Sequence, residues 1–442
     1  MKQNILEAIE NEFDVGSLQL SNGLRIWPLI RDKIYFHDLN KRVGYSSKTR
    51  TRNKVKLVKN FFYGINNIFV LKRFDFLFFE NTNKRILINN KYFDIYFDAW
   101  GDKLGRSKGL FVEFASESHY DKDKVYSQNI VSDLPFKLAS FIRSFYVFPR
   151  IVNVEVLERI QEQKDIKINL RKELKRKLGE YYLYRFLFRY IKPRAIFVLS
   201  SFSKISIVMA AKSKNIPVYE AQHGFIGESH PFYHVTKRFE ESYPDGLFSF
   251  GNYEINNNKN FIFRRNQILP IGGLQLEYLK SRALPDELKK IRNKYRQIFC
   301  ITLQALKEEE IIGATLNYAK KHMDALFILC PKDRSISYTD YLVNKNYLVS
   351  QYPIYDILKI ADYNLTIFST TAVEGVSMGA KTIFYNADNL SKRYFNVVKL
   401  GASVIEEGDS LSEKHLNFKE SEMEPYYIEG YFENVEKCNL NI

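Results

Sequence analysis

Cysteine is scarce: Cys300, Cys330 and Cys438 are the only ones in 442 residues. Their wide spacing offers neither a disulfide framework nor a metal knuckle, and so few thiols fit a reducing compartment such as the cytoplasm. No apolar run reaches the ~20 residues that cross a bilayer, and Glu7 and Glu10 stand where a secretory signal needs an apolar stretch. Any membrane encounter is therefore expected to be peripheral, on the inner face of the cytoplasmic membrane. Zinc-finger spacing, an RNP-type aromatic motif and a helix-turn-helix signature are also missing, so nucleic acid is not an expected partner. Neither chemical motif described below contains Asp-x-Asp, and the histidines form no helical i, i+4 pair with carboxylates. No metal or other cofactor is expected.

What the chain has in excess is positive charge, +15 net, unevenly spread. Residues 41–73 hold ten Lys or Arg and no Asp or Glu, interleaved with Phe61, Phe62 and Tyr63. Residues 171–194 are a second basic stretch, with Tyr181, Tyr182, Tyr184, Phe186, Phe188 and Tyr190. Such blocks attract an acidic lipid surface or a charged glycan, and the plainer alternative is a solvated helix face. Hydrophobic residues make up 45% and aromatics 15%, ample for folding. The length suggests two domains of about 200 residues. With no repeat or low-complexity linker, the boundary is placed near residue 240, giving domains 1–240 and 241–442.

Apolar runs such as Phe74-Asp-Phe-Leu-Phe-Phe79, Ala195-Ile-Phe-Val-Leu199, Ile298-Phe-Cys-Ile-Thr-Leu303 and Ala325-Leu-Phe-Ile-Leu-Cys330 alternate with helical spacing. That alternation predicts an α/β fold with two parallel sheets, each covered by helices on both faces. The weakly patterned residues from Gly408 onward are read as a tail packing back across the domains.

Two motifs carry the chemistry. In Val218-Tyr-Glu-Ala-Gln-His-Gly224 a strand end delivers Glu220, Gln222 and His223 to the crevice outside the carboxyl edge of a parallel sheet. In Phe368-Ser-Thr-Thr-Ala-Val-Glu-Gly375, Ser369 is a good N-cap for a helix over 370–378. Unpaired amides there, with the hydroxyls of Ser369, Thr370 and Thr371, make an anion site suited to a diphosphate or a phosphodiester. Glu374, one turn on, suits the two hydroxyls of a ribose. Three further loops should converge on the same edge: Pro270-Ile-Gly-Gly273, Thr302-Leu-Gln-Ala305 and Pro331-Lys-Asp-Arg334. Gly272 and Gly273 allow close approach of a phosphate, Gln304 is a base contact, and Lys332 or Arg334 neutralises phosphate charge. Either His223 or Glu220 fits the general base that deprotonates an acceptor hydroxyl, His223 being favoured. Gln222, His230 and His234 are the candidates for acceptor contacts.

On these residues the chain resembles GT-B glycosyltransferases, specifically the bacterial enzymes that build capsules and lipopolysaccharide. Those enzymes carry Gln-His-Gly after a strand, matched by Gln222-His-Gly224, and His-Pro-x-Tyr, matched loosely by His230-Pro-Phe-Tyr233. Tyr243-Pro-Asp245, Phe250-Gly251 and the Ser-Thr-x-x-x-Glu-Gly pattern from Ser369 to Gly375 are similar as well, so the resemblance spans residues 190–390. It implies two Rossmann-like domains facing a central cleft, the first binding a glycan or lipid-linked acceptor and the second a nucleotide-sugar donor. The lack of any visible nucleophile device adds the expectation of inversion, and the missing metal motifs that of metal-independent transfer, with leaving-group charge held by the helix dipole and cations. Teichoic-acid glycerophosphotransferases use the histidine of a Trp-His-Gly element as base, which by analogy favours His223. Sialyl- and polysialyltransferases bind the CMP phosphate with His-Pro; Cys330-Pro331 stands in the corresponding place, with Lys332 next, a departure that argues against CMP-sialic acid. Hexosamine 2-epimerases share the architecture and remain a competing reading, as does a non-catalytic glycan- or nucleotide-binding component of a polysaccharide assembly complex.

Overall fold

A computed structural model describes residues 4–43, 54–227, 230–256, 260–332, 337–338, 340, 344–419, 425–440 and 442. Arg334 and residues 44–53 of the first basic block lie outside these.

The first sheet has seven strands: β1 (Phe76–Asn81), β2 (Gly109–Phe114), β3 (Ile130–Ser132), β4 (Ala195–Leu199), β5 (Val218–Ala221), β6 (Gly246–Ser249) and β7 (Ile268–Pro270). They lie in the order β7-β6-β5-β4-β1-β2-β3, and every pairing is parallel. Six strands make the second: β8 (Gln297–Thr302), β9 (Ala325–Cys330), β10 (Tyr347–Val349), β11 (Tyr363–Thr366), β12 (Lys381–Asn386) and β13 (Ser403–Glu406). Their order is β10-β9-β8-β11-β12-β13, again parallel throughout. Central strands buried on both faces explain why the sequence reads there as unbroken apolar runs. In each sheet the winding direction reverses beside its first strand, between β1 and β4 and between β8 and β11. Those are the places where doubly wound sheets open a crevice at their carboxyl ends. The α/β architecture with two Rossmann-like parallel sheets is thus the one the sequence predicts.

The first sheet continues past residue 240, since β6 and β7 add to its edge. Packing explains their allegiance: Phe248 stacks on Trp100 at 4.2 Å and on Tyr219 at 5.6 Å, inside the core built on β1 and β2. The end of the chain returns to the same layer. In the helix Tyr431–Lys437, Tyr431 and Val435 join that core, and Lys103 Nζ donates to the carbonyls of Val435 and Glu436 at 2.7 and 2.8 Å, a cation at a helix C-terminus. Upstream, the Ile428 amide donates to the Phe250 carbonyl at 2.8 Å. The expected tail across the domains is therefore, in part, a strap bound to the first layer.

Candidate active site

The carboxyl edges of the two sheets face one another across a cleft of about 460 Å³. How close the lips come is measured by two glycines. A Cβ on Gly224 would lie 3.4 Å from Thr370 Oγ1, and one on Gly227 would lie 2.1 Å from the Tyr394 carbonyl oxygen. Between them, Phe225 stacks on Phe395 at 4.4 Å.

On the first lip, His223 lines the cleft and its Nδ1 has no hydrogen-bond partner among the described residues. Burial, helped by the positive charge of Lys84, pulls its pKa down to about 4, so the imidazole is neutral and available as a base at pH 7. Glu220 is placed differently. Its Oε1 accepts from the Ser201 amide at 2.8 Å and the Tyr233 hydroxyl at 2.6 Å, fully buried in its own layer, and it does not line the cleft. Burial raises its pKa, with the hydrogen bonds from Tyr233 and Ser201 working against that rise. The strand alternation that put Glu220 beside Gln222 ends at Ala221, where β5 stops, so the two side chains part company.

Gln222 reaches the cleft wall, but its carboxamide is committed. Its Oε1 accepts from the Phe250 amide at 2.8 Å, and its Nε2 donates to the Gly224 carbonyl at 3.0 Å, to Glu254 at 2.8 Å and to the Tyr426 hydroxyl. It ties the lip to the returning strap. His230 and His234 sit outside the cleft lining: the His230 ring packs edge-on against Tyr233 at 4.7 Å, and His234 stacks on Phe261 at 5.1 Å. Burial first, then the neighbouring histidines, depresses the His230 pKa to about 3. Both histidines back the lip.

On the second lip, Ser369, Thr370, Thr371, Glu374 and Lys332 line the cleft together. The helix runs Thr371–Ser377, and its first amides are already bonded: Thr371 to Ser369 Oγ at 3.2 Å, Ala372 to the Ser369 carbonyl, Val373 and Glu374 to that of Thr370. An anion here meets hydroxyls and Lys332, whereas the expected free amides at those four positions are absent. Glu374 accepts from the Tyr355 hydroxyl at 3.2 Å. Burial pushes its pKa up to about 7 against the opposing pull of Tyr355 and Lys84.

Gln304 bridges the loops after β8 and β11, its Oε1 accepting from the Phe368 amide at 3.0 Å, and it does not line the cleft; nor does Pro331. Gly272 and Gly273 do, yet what approaches them is the strap itself. A Cβ on Gly272, where φ is +88°, would lie 2.6 Å from the Ile428 carbonyl oxygen, and one on Gly273 2.9 Å from the Tyr427 ring.

The sequence reading missed Lys84, Tyr96, Tyr355, Tyr427 and Tyr431, which also line the cleft. Lys84 closes the turn after β1, beside the reversal point of the first sheet, and carries the one findable signal: a polar Thr82-Asn-Lys84 segment directly after a strand. Burial lowers its pKa while Asp94 and Glu374 raise it. The next residue, Arg85, anchors that turn from below: its buried guanidinium donates to Glu113 at 2.6 Å, to Ser127 at 3.0 Å, and to Glu80. The four tyrosines are scattered among 30 in the chain and have no local pattern to betray them. Among the described residues, no three His, Cys, Asp or Glu side chains group as metal ligands, and no helix is long and apolar enough to cross a membrane.

No family model and no curated protein matches the chain. Among solved structures it is similar to CalG4, the calicheamicin glycosyltransferase, at 12% identity and a TM-score of 0.47, covering 83% of this chain and 93% of that one. The UDP-GlcNAc 2-epimerase of Methanocaldococcus jannaschii matches at 13% and 0.42 over 82% and 97% of the two chains. The glycosyltransferase SnogD of Streptomyces nogalater matches at 12% and 0.42 over 78% and 89%. Likeness this distant falls on transferases and epimerases alike and ties the chain to neither activity.

Proposed function

We propose that the protein is a glycosyltransferase that moves a sugar from a nucleotide-activated donor to a hydroxyl of a glycan or lipid-linked acceptor of surface polysaccharide, with inversion and without a metal. The observation that carries this reading is the neutral imidazole of His223, its Nδ1 without a hydrogen-bond partner among the described residues, on one lip of a cleft whose other lip is the hydroxyl-rich turn of Ser369, Thr370 and Thr371 with Lys332 and Glu374. In this reading the acceptor hydroxyl gives its proton to His223 as its oxygen attacks the anomeric carbon, and the bond from that carbon to the donor phosphate breaks. The departing nucleotide phosphate is held by Lys332 and the hydroxyls, while Glu374 accepts from the ribose. The tyrosines give the sugar and base apolar faces to lie on. Glu220, bonded within its own layer, keeps the Ser201 turn in place and serves as a positioning residue.

The test is incubation of purified protein with UDP-, CMP-, GDP- and CDP-linked sugars. Donor hydrolysis or transfer that disappears in His223→Ala, with an unchanged unfolding midpoint, is the expected result. Interconversion of a free UDP-sugar would identify an epimerase instead, and nucleotide binding without turnover a non-catalytic component. Both would overturn the reading.

A further inference from the structure

The helix Leu134–Phe145 is turned the wrong way round for a surface that meets only water. Its inner stripe is Phe136, Ser140 and Ser144, pressed onto the helix Leu170–Ile191 where Gly179 leaves no room for a side chain. A Cβ there would lie 2.5 Å from the Ser140 carbonyl oxygen and 2.8 Å from Ser144 Cβ. Apart from Phe136, the large apolar side chains face outward. Leu138, Phe141, Ile142 and Phe145 recur at i, i+3, i+4 and i+7, all exposed, and Tyr146 and Phe148 extend the stripe at 78% exposure each.

The neighbouring helix Lys54–Phe62 repeats the inversion. It buries Asn60, whose side chain donates to the Glu117 carbonyl, and exposes Leu57, Val58 and Phe62. Phe69, in the turn that follows, is 80% exposed. Apolar surface of this extent on one face marks an interaction site.

Within the segments that carry these exposed side chains the charge has one sign. Residues 134–154 contain Lys137, Arg143 and Arg150 and no Asp or Glu, and the helix Lys54–Phe62 adds Lys54, Lys56 and Lys59 with no acid. One of these, Lys137, is paired with Asp133 at 2.6 Å. Protein interfaces are depleted of lysine at their apolar centre, whereas an apolar stripe edged by Lys and Arg suits a bilayer of negatively charged headgroups.

We propose that this face docks on an anionic lipid bilayer, with the helix Leu134–Phe145 lying in the interface plane and Phe141, Ile142, Phe145 and Phe148 reaching the acyl boundary. Lys54, Lys56, Lys59, Arg143 and Arg150 supply the attraction, and the inverted helix, which the sequence reading did not single out, supplies the grip. The proposal goes beyond the transfer reading and stands on separate residues.

Flotation of the purified full chain with vesicles of phosphatidylcholine, with and without phosphatidylglycerol, tests it. The wild type is expected to float with the anionic vesicles, and less so as salt rises. Phe141→Asp/Phe145→Asp is expected to lower that partition about tenfold or more, and Arg143→Gln/Arg150→Gln to weaken it on anionic vesicles alone, with unchanged unfolding midpoints because all four side chains are exposed. Absence of flotation, or flotation indifferent to the Asp variant, overturns the proposal. So does a wild-type dimer, seen by light scattering, that Phe141→Asp/Phe145→Asp disperses without any vesicle binding, since the occupant is then a second copy of the chain. Donor turnover measured without vesicles scores the transfer reading separately.

Discussion

The hydroxyl of Tyr355 donates to Glu374 Oε1 at 3.2 Å, yet the carboxyl keeps a pKa of about 7 because burial outweighs that hydrogen bond and the nearby Lys84. At pH 7 the group is therefore poised between its two forms. Ribose hydroxyls donating to it favour the carboxylate, so nucleotide binding should release a proton. Calorimetry in buffers of different ionisation enthalpy would show this as a slope that Glu374→Gln abolishes. Proton uptake in its place would mean that Glu374 does not hold the sugar.

The same shift has a stability consequence with a definite sign. A carboxyl whose folded pKa lies above its unfolded value stabilises the fold below about pH 4.5 and loses that contribution as pH rises through about 7. Glu374→Gln should flatten this part of the curve of unfolding free energy against pH. Glu254, also raised to about 7 by burial, contributes a parallel slope that the variant leaves in place.

His223 acts in the opposite direction. Its folded pKa, about 4, lies below the usual 6.5, so the stability that goes with the neutral ring is present above 6.5 and is lost as pH falls toward 4. Through the same window kcat, measured at saturating donor so that the bound ribose already holds Glu374 as the carboxylate, should hold up to well below pH 6.5, because the base stays deprotonated. His223→Ala should lower kcat by roughly 10²- to 10⁴-fold, the range expected for a general base. It should also remove any acid limb that histidine causes. An acid limb at pH 6.5 in the wild type would mean that the ring is solvated and ordinary.

What the sequence made legible follows from where chemistry is local. Apolar runs give strands, so both sheets were readable, and a polar residue just beyond a strand must emerge at the carboxyl edge, which located His223, Ser369, Thr370, Thr371, Lys332 and Glu374. Orientation one residue inside a strand end was less accessible. Glu220 is engaged by Ser201 and Tyr233, partners 19 and 13 residues away that no spacing rule connects. Gly272 and Gly273 read as a phosphate turn because the strap that crowds them, at Tyr427 and Ile428, lies over 150 positions later in the chain. The sheet's extension past residue 240 was hidden for a similar reason, since β6 and β7 look like the start of a second domain until Phe248 is seen against Trp100.

Two glycines on one lip give the sharpest check that the edges truly face each other. Neither has a positive φ, so alanine fits the backbone at both positions and only the neighbours decide the outcome. At Gly227 a methyl group would lie 2.1 Å from the Tyr394 carbonyl oxygen, which cannot swing aside like a side chain, so Gly227→Ala must push the two layers apart. Overpacking of that kind typically costs about 1–3 kcal/mol, to be read in chemical denaturation. At Gly224 the methyl would meet Thr370 Oγ1 at 3.4 Å, a contact that a small shift relieves, so Gly224→Ala should change stability little. It should nonetheless weaken donor or acceptor binding, because the added carbon stands beside the hydroxyl assigned to the phosphate. If both variants had wild-type stability and wild-type nucleotide affinity, the lips would not be in contact in solution, and the histidine of one could not serve the sugar held by the other.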